Sequence, residues 1–151
     1  MMAIILKNVS KSYRLNSGKQ NKVFQGVNLR FEAGMNTGII GRNGMGKSTL
    51  MRIISGTEPI DQGRVILNGH RVSWPVGQAN FQPSLSAFEN ARLVAQIYGY
   101  SPSDIKKIIL YVRDFADIGR YFYEPIKTYS SGMKSRVAFA MSMALDFDFY
   151  L

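Results

Sequence analysis

The chain has no cysteine, one histidine and one tryptophan among its 151 residues. Without thiols there is no disulfide scaffold, no thiolate metal site and no cysteine nucleophile, and one imidazole excludes a multi-histidine zinc centre. Long apolar runs are also missing. Ala3, Ile4, Ile5 and Leu6 form a short run with no basic region before it, unlike a secretory signal, and no segment approaches the roughly 20 apolar residues of a membrane span. Any membrane role is therefore expected to be peripheral. Acidic residues are scarce, 10 Asp and Glu against 19 Lys and Arg, leaving a net charge of +9. That surplus points to an anionic partner: nucleotide phosphate, nucleic acid or an acidic membrane face. It is concentrated in residues 1–80, with 11 basic and 3 acidic side chains, against 8 and 7 in the remainder. What is present, 46% hydrophobic and 12% aromatic residues, suits one ordinary globular domain.

The first 31 residues carry short apolar runs, Ile4-Ile5-Leu6, Val23-Phe24, Val27, Leu29 and Phe31, and predict two or three strands. Gly38-Ile39-Ile40 predicts a further strand, feeding a glycine-dense loop and a helix from Lys47 to Ser55 that stops at Gly56. Asn68-Gly69, between Arg64–Leu67 and His70–Val72, predicts a type I′ hairpin, with His70 a solvated strand residue of no chemical role. The period then changes. Ser86-Ala87-Phe88-Glu89 is a capping box opening a helix to Tyr98, and Ser101-Pro102-Ser103-Asp104 opens another. A loop over Gly119–Tyr129, whose Tyr121-Phe122-Tyr123 cluster reads as core packing before a partner patch, leads to a third helix from about Gly132 to Leu145. A mixed α/β lobe is thus followed by a helical lobe of about residues 84–135.

Gly41-Arg42-Asn43-Gly44-Met45-Gly46-Lys47-Ser48 matches G-x-x-x-x-G-K-[ST] in full. Glycines let the backbone curl so that several N–H groups converge on phosphate oxygens at a helix N-terminus, where the dipole also favours negative charge. In this motif Lys47 reaches the β- and γ-phosphates and the Ser48 hydroxyl goes to Mg2+. Nucleoside triphosphate binding is the expectation. Tyr129-Ser130-Ser131-Gly132-Met133-Lys134 is by itself a weak signal, since Ser-Ser-Gly before an amphipathic helix is usually only an N-cap, though it is physically a second anion-receptive helix start.

This phosphate loop, Phe81-Gln82 before a capped helix containing Glu89-Asn90, and then Ser130-Ser131-Gly132, resemble in order and spacing the ATP-binding subunit of ABC transporters. The resemblance covers essentially the whole chain. Ser73-Trp74-Pro75 and Lys127-Thr128-Tyr129-Ser130-Ser131-Gly132-Met133 are similar to the branch that powers export of capsular or related surface polysaccharide. It implies an α/β P-loop NTPase with an N-terminal antiparallel β subdomain, a P-loop core and a helical subdomain. It implies ATP and Mg2+ as ligands, with adenine stacked on Tyr13 and the phosphates cradled by Gly41, Arg42, Asn43, Gly44, Met45, Gly46, Lys47, Ser48 and Thr49. Gln82 would touch Mg2+ and the attacking water, making the metal contacts Ser48 and Gln82. Ser130 and Gly132 would meet the ATP of a second, head-to-tail copy. The helical lobe would dock on a polytopic membrane permease at the cytoplasmic face of the inner membrane, with no direct contact to the polymer required.

The sequence departs from the common Leu-Ser-Gly-Gly-Gln signature at Ser131 and Met133, as the polysaccharide-export branch does. The family's Asp-Glu pair, which holds Mg2+ and polarises the water, and its later histidine are not matched. Neither Asp146 nor Asp148 follows the apolar run as that pair would. The expectation is therefore a fragment of a longer ATPase, its core C-terminal part missing, that binds MgATP and hydrolyses it poorly or not at all. An O-antigen or teichoic-acid type exporter is the nearest alternative. A soluble ATPase acting on nucleic acid is disfavoured because the cations are scattered and not interleaved with aromatics, and a binding-only module remains in view.

Overall fold

Alternating apolar residues make Ala3–Arg14 a strand, β1, which pairs antiparallel with β2, Gln20–Glu32, and on its other side with β3, Gln62–Ile66. The order in this three-stranded sheet is β2-β1-β3. The computed structural model describes residues 3–75 and 81–151. Ile4 and Leu6 point into the core, and strict alternation would next bury Asn8. Instead Asn8 takes a φ of 51° and the register slips, so that Val9 and Lys11 are the buried residues. An extra residue in a strand exchanges its inner and outer faces. β3 crosses close over this bulge at Gly63, where a Cβ would overlap the carbonyls of Lys7 and Asn8.

Helix α1, Lys47–Ile54, turns Leu50, Ile53 and Ile54 inward, and Gly56 closes it with a φ of 75°. Leu50 and Ile54 form a core with Ile4, Leu6 and Val9, against which Phe24, Phe31, Ile39 and Phe149 pack. The strand expected at Gly38-Ile39-Ile40 does not form: no described strand ladders with it, and while Ile39 meets the core, Ile40 is 98% exposed. The Asn68-Gly69 turn is type I′, with φ of 51° and 81° and the His70 N–H donating to Leu67 O at 2.9 Å. Its return arm, however, does not ladder with β3 as a hairpin would. Val72 makes a parallel bridge to Phe149, Ser73 N–H donates to Phe149 O, and Leu151 N–H donates to the Ser73 hydroxyl. His70 is likewise not solvated. Its ring packs edge-on to Phe149 and its Nδ1 lies 3.6 Å from Asp148 Oδ2.

Two compact units result, Met1–Trp74 with Phe147–Leu151, and Pro75–Asp146. The second is helical and wider than residues 84–135. It contains α2, Ala87–Ile97, α3, Pro102–Ala116, and α4, Ser131–Ala144. Each starts on a serine, Ser86, Ser101 and Ser130, whose side chain accepts a backbone N–H of the first turn. Small residues Ala87, Ala91 and Ala95 line the buried face of α2, while α3 contributes Ile108, Val112 and Ala116 and α4 Val137, Ala140 and Met141. The expected loop after α3 holds two short 3₁₀ turns, Gly119–Tyr123 and Ile126–Thr128. In the aromatic cluster Phe122 is core, but Tyr121 and Tyr123 are exposed at their edges. Tyr129 anchors this region: its hydroxyl donates to Tyr121 O at 2.6 Å and accepts the Ala87 N–H, and burial raises the phenol above its ordinary pKa.

Candidate nucleotide-binding site

Helix α1 begins unlike the other three α-helices. Its N-cap is Gly46, with a φ of 93° and no side-chain oxygen to cap it. The first N–H groups of a helix have no intrahelical acceptor, so here they face outward uncapped at the positive end of the dipole. Gly44, φ 84°, curls the preceding loop, and the Met45 N–H closes it on Arg42 O. A Cβ at Gly46 would overlap Val23 Cγ1 and stand 3.1 Å from Phe24 Cζ, which lets β2 pack directly under the loop. The Lys47 ammonium is folded into the curl, donating to Gly41 O at 2.6 Å and Arg42 O at 2.9 Å. Among the described residues those two carbonyls are its hydrogen-bonded partners, and both belong to a loop open to solvent. Ser48 is exposed beside it, and Thr49 is buried beneath.

The loop forms one wall of a cleft of about 280 Å³ lined by Tyr13, Asn21, Val23, Asn43, Gly44, Gly46, Lys47, Ser48 and Thr49. The strand pair brings Tyr13 here, because Tyr13 and Asn21 are register partners at the end of the β1–β2 ladder. Asn21 and Val23 were not anticipated as lining residues. Their signal was the antiparallel pairing itself, which sets residue 21 opposite residue 13. Gly41, Arg42 and Met45 lie in the same loop without lining the cleft.

Gln82, Ser130 and Gly132 belong to the second unit. Gln82 is exposed, and its backbone is held by an unanticipated residue, the buried Asn90. The Asn90 Oδ1 accepts the Gln82 N–H at 2.9 Å, and its Nδ2 donates to Gln82 O at 3.2 Å and Ser86 O at 2.8 Å. The capping box lies alongside: the Ser86 N–H and hydroxyl both donate to Glu89 Oε2, which holds that carboxyl below the ordinary glutamate value. The Ser130 hydroxyl accepts the Met133 N–H at 3.2 Å, and Gly132, the second residue of α4, is exposed. Asp148 is occupied structurally, accepting the Arg71 N–H at 2.7 Å. No helix among the described residues is long and apolar enough to cross a membrane.

A glycine-curled loop feeding an uncapped helix, beside an antiparallel β subdomain and followed by a helical unit, defines a P-loop nucleotide-binding cassette. The ABC transporter family model matches residues 24–151, and the chain belongs to that family. It is 47% identical to the polysialic acid transport ATP-binding protein KpsT of Escherichia coli, over 98% of this chain and 67% of that protein. It is 43% identical to the capsule polysaccharide export ATP-binding protein CtrD of Neisseria meningitidis serogroup B, over 98% of this chain and again 67% of the relative. The chain thus spans about two thirds of the length of these curated relatives. Among solved structures, the ATP-binding cassette MJ0796, a dimer in a post-hydrolysis state with ADP and Pi, matches with a TM-score of 0.76 and 28% identity, covering 93% of this chain and 69% of that one.

Proposed function

We propose that this chain is the ATP-binding part of an exporter of capsular or related surface polysaccharide. The observation that carries the nucleotide reading is the uncapped start of α1, with the Lys47 ammonium held by two loop carbonyls, in one cleft with Tyr13. The residues present fit a nucleotide with its metal. Backbone N–H groups of Gly44 to Thr49 would hold the phosphates, Lys47 would exchange its two carbonyls for the β- and γ-oxygens, and the exposed Ser48 hydroxyl would be a ligand for Mg2+. The metal, when bound, neutralises charge developing on the transferred phosphoryl group. Tyr13 receives the base, Gln82 completes the metal and water contacts, and Ser130 and Gly132 serve the ATP of a second copy. The capsule reading is supported by relatives at 43–47% identity whose names specify polysialic acid and capsule polysaccharide. The teichoic acid exporter TagH of Listeria innocua is more distant, at 37% identity, and this chain covers only 46% of it. The permease partner and a place at the cytoplasmic face of the membrane follow from the same reading.

Replacing Lys47 removes charged hydrogen bonds worth about 1.5–3 kcal/mol each, so Lys47→Ala is expected to weaken MgATP binding about 10- to 100-fold. Calorimetric titration of the full chain measures this. The melting temperature should hold, because the side chain bonds only two carbonyls of an exposed loop. In cells, the same substitution in the full-length protein is expected to abolish surface polysaccharide. Unchanged ATP affinity refutes the nucleotide reading, and a normal polymer coat refutes the export reading.

A further inference from the structure

Lys11 is the one charged residue in the buried class among the described residues, with 7% exposure. A lysine stays charged out of water only where its ammonium is matched. Here Nζ lies 2.6 Å from Glu58 Oε1, donates to Pro59 O at 2.7 Å, and sits 4.9 Å from the centroid of the Tyr13 ring. Lys11 and Tyr13 are two residues apart on β1, and although the register with β2 shifts again between Lys11 and Ser12, the two side chains meet. Tyr13 lines the phosphate-loop cleft and Lys11 does not. Lys11 borders instead a separate cavity of about 400 Å³ with Ser10, Gly26 and Asp61. The ammonium therefore lies against the Tyr13 ring without itself lining the cleft.

We propose that Lys11, clamped by Glu58, is a positioning residue that fixes the Tyr13 ring as the platform for the nucleotide base. This rests on the reading of Tyr13 as that platform. A ring held by a neighbouring ammonium loses little freedom when a base stacks on it. The pair persists through the neutral range: its hydrogen bond to Lys11 holds the Glu58 carboxyl below the ordinary glutamate value, and Lys11 is held above the ordinary lysine value.

The test compares affinities of the full chain for MgATP and for inorganic tripolyphosphate, which reports the phosphate loop without a base. Lys11→Met is expected to weaken MgATP about 5- to 10-fold, the scale of a desolvated cation–π contact, and to change tripolyphosphate less than about twofold. Lys11→Arg should recover most of the loss. Tyr13→Ala should lose about 10-fold for MgATP by removing base stacking, and Lys11→Met added to it should cost nothing more. Equal losses for both ligands would mean a structural role only and overturn the proposal. So would an unaffected Lys11→Met where Tyr13→Ala is impaired. Unchanged MgATP binding in Tyr13→Ala sinks the platform reading itself. Because Lys11→Met leaves Glu58 unpaired, the neutral double variant Lys11→Met/Glu58→Gln replaces it if the single one fails to fold, with the same two outcomes.

Discussion

Gly46 joins two requirements at one α-carbon: a left-handed backbone at the helix start and contact with β2 beneath. Alanine there meets the strain of a φ of 93° together with overlap on Val23. Gly46→Ala is expected to cost about 2–4 kcal/mol and to lower nucleotide affinity as the loop shifts, both read from melting curves with and without MgATP. Gly41→Ala is the control, since its Cβ would reach only Met45 Cβ at 4.0 Å and stability should change by less than about 0.5 kcal/mol. The phosphate loop was legible in the sequence because its chemistry is local, eight consecutive residues whose spacing is the geometry. The Lys11–Glu58 pair was not. Counting inward residues from Ile4 and Leu6 puts Lys11 on the outer face, and only the bulge at Asn8 turns it in, toward a glutamate far along the chain.

At the scale of elements, the start of α2 holds the backbone of Gln82, the residue proposed to touch Mg2+ and the attacking water. Ser86→Ala removes the cap and is expected to destabilise the helical unit by about 1 kcal/mol in urea titration. Asn90→Leu should cost more, about 1–3 kcal/mol, because it leaves the Gln82 N–H without its acceptor, while the carbonyls of Gln82 and Ser86 keep their backbone donors Leu85 N–H and Asn90 N–H. It should also speed hydrogen exchange at Gln82. The capping box has an acid limit with a defined sign. Glu89 has a folded pKa below its unfolded value, so its contribution is complete above the ordinary glutamate value and is lost as pH falls through the folded one. Loss of the box on raising the pH would contradict this. The box was readable as Ser-x-x-Glu before an apolar run. The Asn90 clamp was not, since an asparagine inside a helix carries no signal until the Gln82 N–H is located opposite its side-chain oxygen.

For the molecule as a whole, the chain leaves the first unit after Trp74 and re-enters it at Phe147. The ring of Phe147 stands edge-on to Trp74 with centroids 5.6 Å apart, and is 6% exposed. Phe147→Ala is expected to cost the first unit about 3 kcal/mol, seen as a lowered unfolding midpoint in the fluorescence of Trp74, the single tryptophan. Here sequence reasoning was weakest. The Asn68-Gly69 turn was correct in type, yet a turn says only that the chain reverses, and the arm after it found its partner 77 residues on, where Arg71 N–H meets Asp148.

That late return sets an order of events during synthesis. The three-stranded sheet and the whole phosphate loop emerge from the ribosome early, but the segment that bridges to Val72 and packs Phe149 on their core emerges only after the entire helical insert has been made. Closing a loop of that length is slow compared with forming the helices inside it. The nascent β unit therefore waits with an apolar face open to chaperones, while the insert has time to fold first.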